Sequence, residues 1–312
     1  MKTLVTGGNG LVGQAVQRVV AKDTYSYHFS GSQECDLRSL DQTWTLFERV
    51  KPDRVIHLAA RVGGLFANSR DQIGFFEENL AINMNVIKAC HQHKVMHAVF
   101  CLSTCIYPAH ASLPLKESQL HLGPPHPSNE GYAYSKRVLE CQVYWYCQKF
   151  GYKWTCVIPT NVYGPNDNFK LEEAHVIPAL IRKCCEAVEK GEQFIVCGSG
   201  NARRQFIYSD DLAAIICQLL LSRHSGNYNC CGNPSEEYSI SQLAHKIADE
   251  CGYTQTIVFD SSSDHGIDRK TACNEKLQNT LGSLIHFRSI EAGIRETVAW
   301  YRANKSSGLI RL

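Results

Sequence analysis

Residues 1–20 read MKTLVTGGNGLVGQAVQRVV. The apolar run at 2–6 predicts a strand, residues 11–21 repeat their apolar side chains at helical spacing, and glycines stand between them at 7, 10 and 13. A strand entering a helix through such glycines turns backbone N–H groups, at a helix amino terminus, toward a pyrophosphate. The spacing is GxxGxxG, a variant of GxGxxG, and a plain strand-to-helix turn would also use it. Strand, helix and position together point to dinucleotide binding by Gly7, Gly8, Asn9, Gly10, Leu11, Val12 and Gly13.

The same alternation continues outward. Strands are expected at 27–30, 54–58, 98–102 and 155–158, and helices at 40–50, 71–93 and 131–150, the pattern of βαβ units in a doubly wound parallel α/β sheet of Rossmann type. Ser39 with Gln42 suggests a capping box. Past residue 160 helices at 174–190, 210–222, 240–251 and 290–303 mix with short strands. The expected organisation is a dinucleotide-binding domain at 1–160, to which 203–222 returns, and a smaller α/β substrate domain over most of 161–312. The polar run SSSDHGID at 261–268 reads as a mobile loop.

Composition narrows the partners. With 32 basic and 30 acidic residues among 312, the formal charge of +2 gives no excess to drive nucleic-acid or anionic-membrane binding. Fifteen cysteines, an odd number without a CxxC pair, suit free thiols in a reducing compartment, so the expectation is a cytoplasmic protein with no metal centre. Glycines at 7 and 8 come too soon for a signal peptide's apolar region, and the apolar stretch at 212–221 is too short to span a bilayer.

Two further patterns carry chemistry. Tyr132 and Lys136, in YAYSK, lie four apart on one helix face, where an ammonium is expected to lower the phenol's pKa and equip it to move a proton at a carbonyl or alcohol oxygen. A surface pair one turn apart would look the same. Ser103 follows the strand at 98–102, where an open α/β sheet presents residues to its crevice, and its hydroxyl could bond the same oxygen. The second strand runs into Ser30, Gly31, Ser32 and Gln33, whose serines could bond a 2′-phosphate, but Glu34 stands close enough to grip a ribose instead. Asp36 and Leu37 are expected to border the adenine.

In this order the residues resemble the extended short-chain dehydrogenase/reductase family, with Leu58, Ala59 and Ala60 as a further match. The strings AARVGG at 59–64, LSTCIYP at 102–108, PTNVYGPNDNF at 159–169, HVIPALIRK at 175–183 and RRQFIYSDDLA at 203–213 resemble its branch that epimerises and reduces GDP-4-keto-6-deoxy-D-mannose, from end to end of the chain. That resemblance implies inversion at C3 and C5 by Cys105 and His175, then hydride transfer to C4 from NADPH, with Ser103 and Tyr132 at the C4 oxygen. It implies that Lys136 also holds the nicotinamide ribose, and that Leu102, Pro159, Thr160, Asn161, Val162 and His175 line the cofactor. Lys183, Arg204 and Lys270 would meet the GDP phosphates and Cys197 the substrate; relatives are homodimers, making the helices at 71–93 and 131–150 the expected interface. The alternatives are another nucleotide-sugar 4-epimerase or 4-reductase, or a non-enzymatic NADP-binding regulator. Dehydratases want acidic residues after the strand-end hydroxyl, where this chain has Thr104 and Cys105.

Overall fold

The computed structural model describes residues 1–222, 224–233, 236–263, 268–308 and 310. The chain opens with β1 (Lys2–Thr6), α1 (Leu11–Val19), β2 (Ser26–Ser30), α2 (Leu40–Val50) and β3 (Arg54–His57). It continues through α3 (Leu65–Arg70), α4 (Gln72–Gln92), β4 (His97–Cys101), α5 (Glu130–Phe150) and β5 (Lys153–Pro159). Ser39 caps α2 by accepting the Gln42 N–H, but the Gln42 side chain turns to the Asp36 N–H at 2.9 Å, so only half of the expected box forms.

After β6 (Asn161–Tyr163) come α6 (Val176–Lys190), β7 (Ile195–Cys197), β8 (Arg203–Arg204), β9 (Phe206–Tyr208), α7 (Ser209–Ser222) and β10 (Gly226–Cys230). The remainder is β11 (Tyr238–Ser239), α8 (Ile240–Cys251), β12 (Val258–Asp260), β13 (Arg269–Lys270), α9 (Glu275–Leu281) and α10 (Ile290–Asn304). Of the run expected to be a mobile loop, Ser261–Ser263 forms a 3-10 turn, and 264–267 lie outside the described residues.

Six strands form one parallel sheet in the order β10-β5-β4-β3-β1-β2. Successive residues point to opposite faces, and both faces are covered, so the central strands are apolar throughout. Leu4, Val55, Phe100 and Trp154 pack with α2, α4 and α5; Val5, Ile56, Val99 and Val157 pack with α1, α7 and α9. A separate core around Phe169, Ile181, Phe194, Ile247 and Ile294 joins α6, α8 and α10. From β1 the chain runs to the edge strand β2, then crosses back to β3. Above the carboxyl ends of β1 and β3 the winding reverses, which is where such sheets open a ligand crevice.

Candidate active site

The glycine loop spans that crevice. Gly7 has φ +72°, and a Cβ there would stand 2.7 Å from the Ala59 backbone nitrogen. At Gly8 it would meet Phe29 Cβ at 2.8 Å, and at Gly13 the Gly7 carbonyl oxygen at 2.3 Å, so the loop is wedged against β2, β3 and its own helix. Gly10 differs. It begins α1 in extended backbone (φ −81°, ψ 175°), and a Cβ would meet only the Gly7 oxygen, at 3.3 Å. The protein leaves that side open beside the helix amino terminus, a cradle that fits a dinucleotide's pyrophosphate. Gly10→Val is therefore expected to fold with only a small fall in melting temperature yet lose NADPH binding, measured by fluorescence titration. Undiminished binding would contradict the loop assignment.

At the adenine end, Glu34 is turned back along β2, where His28 Nε2 lies 2.8 Å from its carboxylate and Arg49 bonds the same oxygen. The acid that could have gripped a ribose is committed to these two bases. Arg38 holds the Asp36 carboxyl below the usual carboxylate range through paired hydrogen bonds, and Leu37 is buried. Asn9 lies over Gly31, with Nδ2 2.3 Å from where a Cβ would be.

Beyond β4, Ser103 caps a 3-10 turn, Thr104–Ile106, its Oγ accepting the Cys105 N–H at 3.4 Å. Cys105 is buried, and burial pushes its thiol pKa up, while the nearby Lys270 ammonium and the Ser103 bond pull it down. Lys136, only 2% exposed, donates from Nζ to the Cys101 carbonyl at 2.8 Å and lies 5.8 Å from the Tyr132 ring centre. Burial lowers its pKa; the adjacent thiols of Cys101 and Cys105 oppose the shift.

The phenol departs from expectation. Tyr132 has its pKa raised well above the ordinary value, by burial first and then by the Cys105 and Cys101 thiols. Lys136 donates to the Cys101 carbonyl, and the cost of a buried phenolate sets the direction of the shift. Tyr132 thus stays protonated, the form a donor to a ketone oxygen needs.

Sequence reasoning passed over His57, which underlies this cluster fully buried. Its ring nitrogens lie 2.7 Å from Thr6 Oγ1 and 3.1 Å from Asn83 Oδ1, and burial, aided by the Lys136 charge, depresses its pKa to about 3. A neutral ring there adds no charge beneath Lys136.

Cys105 opens onto a cavity of about 280 Å³ that Lys270 also lines. In register beside Lys270, on β8, stands Arg204. The neighbouring pair Arg203 and Arg269 share Glu237, but among the described residues no carboxylate is hydrogen-bonded to Arg204 or Lys270. Each lowers its pKa by burial, and Arg204 lowers that of Lys270 further. Two cations side by side, with no carboxylate hydrogen-bonded to them among the described residues, suit a diphosphate. On α6, Lys183 Nζ lies 3.3 Å from Cys197 Sγ, so these two also come together.

His175 begins α6 without capping it, and its residue surface is exposed. The protein around its ring nevertheless withdraws enough water to lower its pKa. It makes no hydrogen bond to Cys105. The preceding residues are tied to the AARVGG segment, where Gly64 N–H donates to the Glu173 carbonyl at 3.0 Å. Pro159 ends β5, the Thr160 N–H donates to the Cys230 carbonyl at 3.0 Å, and Asn161 and Val162 begin β6. Elsewhere His121, Glu140 and Cys141 gather within 4.8 Å, with Glu140 bonded to His121 and Asn227.

The arrangement has relatives. Residues 3–231 match the model of the NAD dependent epimerase/dehydratase family. GDP-L-fucose synthase of Dictyostelium discoideum is 42% identical, over 96% of this chain and 95% of its own length. The Escherichia coli GDP-L-fucose synthase is 33% identical over 97% of both chains. A solved GDP-L-fucose synthetase from Naegleria fowleri bound to NADP superposes with a TM-score of 0.91 at 37% identity, covering 100% of this chain and 96% of that one. By fold, glycine loop and these likenesses, the chain belongs to the NAD dependent epimerase/dehydratase family of extended short-chain dehydrogenases/reductases, alongside the GDP-L-fucose synthases.

Proposed function

We propose that this protein converts GDP-4-keto-6-deoxy-D-mannose to GDP-L-fucose with NADPH, by inversion at C3 and C5 and then reduction at C4. The observation that carries the reading is the convergence of Ser103, Cys105, Tyr132 and Lys136 on one strand end, with Lys270 lining the cavity that Cys105 also lines and Arg204 in register beside Lys270. The cations would hold the diphosphate, with Lys183 and Cys197 at its flank.

The C4 ketone acidifies the neighbouring C–H bonds, so a base can remove each proton and an acid on the other face return one. Cys105 and His175 would be that pair. Burial raises the Cys105 thiol and loss of water around its ring lowers His175, so both groups start uncharged. Because the His175 pKa is lowered, its base form is retained as pH falls below the ordinary imidazole value, and the acid limb of the rate should lie below about 6.5. Ser103 and the protonated Tyr132 would hold the developing C4 oxyanion. Bound NADPH supplies the hydride that reduces C4. Tyr132 then gives its proton to the oxygen, and Lys136, buried beside it, stabilises the phenolate left behind.

The commitment of Glu34 to His28 and Arg49 favours NADPH over NADH. No helix among the described residues is long and apolar enough to cross a membrane. We place the protein in the cytoplasm, where its fifteen free thiols would persist. A homodimer through α4 and α5 is the proposed assembly. On α5 Tyr144 and Trp145 leave 50% and 66% of their surface to solvent, a large apolar exposure for one helix face.

Incubation with GDP-4-keto-6-deoxy-D-mannose and NADPH, with NMR of the sugar formed, tests the reading. GDP-L-fucose is expected. An unepimerised GDP-6-deoxyhexose would indicate a 4-reductase instead, and no reduction would favour a regulator.

A further inference from the structure

The cavity beside Cys105 has walls that the chemistry above does not use. One is apolar, made by Pro108, Ala109, Ala111, Leu113 and Leu115; another carries His126. Both ends of the apolar wall are anchored. The Leu115 N–H donates to the Thr271 carbonyl at 2.8 Å and its carbonyl accepts from Cys273 N–H at 2.9 Å, tying this wall to the strand of Lys270. The Ala109 N–H donates to the Pro124 carbonyl at 2.9 Å. Arg137 reaches from α5 to both sides, donating from Nε to the Ile106 carbonyl at 2.6 Å and from Nη1 to the Gly123 carbonyl at 2.8 Å. Arg137 thereby ties the turn of Cys105 to the segment that leads to His126.

The imidazole is set in one tautomer. Its Nδ1 lies 3.2 Å from the Ser128 backbone nitrogen and 2.8 Å from Ser128 Oγ. A backbone N–H can only donate, so Nδ1 presents its lone pair, and in the neutral ring the proton sits on Nε2. His126 therefore offers the cavity an N–H donor.

We propose that His126 and the 108–115 wall read the sugar ring: the Nε2–H donates to an oxygen of the bound hexose, and the apolar wall receives its deoxygenated C6. A 6-hydroxyl placed against that wall would be stripped of water without a partner, so the site discriminates against hexoses that keep it. This rests on the reading of the site as one for a GDP-sugar.

Isothermal titration of the full chain with GDP, GDP-L-fucose and its 6-hydroxy counterpart GDP-L-galactose tests it. His126→Leu should weaken GDP-L-fucose binding about five- to tenfold, the worth of one neutral hydrogen bond, and leave GDP binding unchanged. His126→Gln, whose amide can donate, should recover most of the loss. Wild-type protein should bind GDP-L-galactose at least about tenfold more weakly than GDP-L-fucose. Equal losses for GDP and GDP-L-fucose in His126→Leu, no loss for either, or comparable binding of the two sugars by wild type would overturn the proposal. Those outcomes in a protein that still makes GDP-L-fucose would leave the proposed function standing; failure of wild type to bind GDP at all would sink both.

Discussion

Tyr132→Phe will slow reduction of the 4-ketosugar by about 10²–10⁴-fold in single-turnover measurements, the range lost when a positioned acid is removed. The effect should be confined to chemistry. The hydroxyl that is lost carries the proton, whereas the ring, packed edge-on to Phe75 at 6.4 Å between centres, can remain in place. NADPH binding should therefore persist. Lys136→Met differs, because its ammonium bonds the Cys101 carbonyl and lies beside the phenol, so binding and rate should fall together. The raised Tyr132 pKa adds a sign: the donor form survives to alkaline pH, so loss of reduction with rising pH should begin above the ordinary phenol value of about 10. Near wild-type reduction by Tyr132→Phe would show the donor to be another group.

Cys105→Ser should abolish exchange at the two carbons beside the ketone. Wild-type protein with oxidised cofactor, in deuterated water, is expected to place deuterium at C3 and C5, because each inversion passes through a carbon acid reprotonated by exchangeable groups. A serine hydroxyl is too weak an acid or base near neutral pH to replace a thiol. His175→Asn should leave partial exchange without completed inversion, since one face keeps its thiol. Both variants keep Tyr132 and Lys136, so each should still reduce unepimerised ketone slowly and release a different GDP-6-deoxyhexose. NMR and mass spectrometry of the products report both effects. Full exchange at both carbons in Cys105→Ser would remove Cys105 from the epimerisation.

What could be read from the sequence was what local geometry dictates. Gly7 and Gly13 are forced by contacts within their own turn and with Ala59, so their spacing betrays the loop. Tyr132 and Lys136 meet because four residues make one helical turn. β10 escaped notice for the opposite reason. Its GNYNC carries two asparagines, and Asn229 is fully buried only because Tyr107 Oη donates to its carbonyl oxygen while its amide donates to Leu115 and Cys273. Nothing local announces those partners. The direction of the Tyr132 shift, the neutral His57 and the placement of His126 likewise depend on how distant segments exclude water from one another.

Arg137 follows Lys136 directly, and its guanidinium grips both the turn of Cys105 and the loop that leads to His126. On the proposed reading, α5 thus carries the reductive proton donor at its first turn and, one residue past the lysine, the brace of the epimerising thiol. The two half-reactions share a single rigid reference. A substitution that tilts this helix, including one on its exposed Tyr144 and Trp145 face, displaces both sets of groups at once. Evolution could therefore not tune inversion and reduction independently through this helix, and a lineage that lost one activity by shifting it would be expected to lose the other.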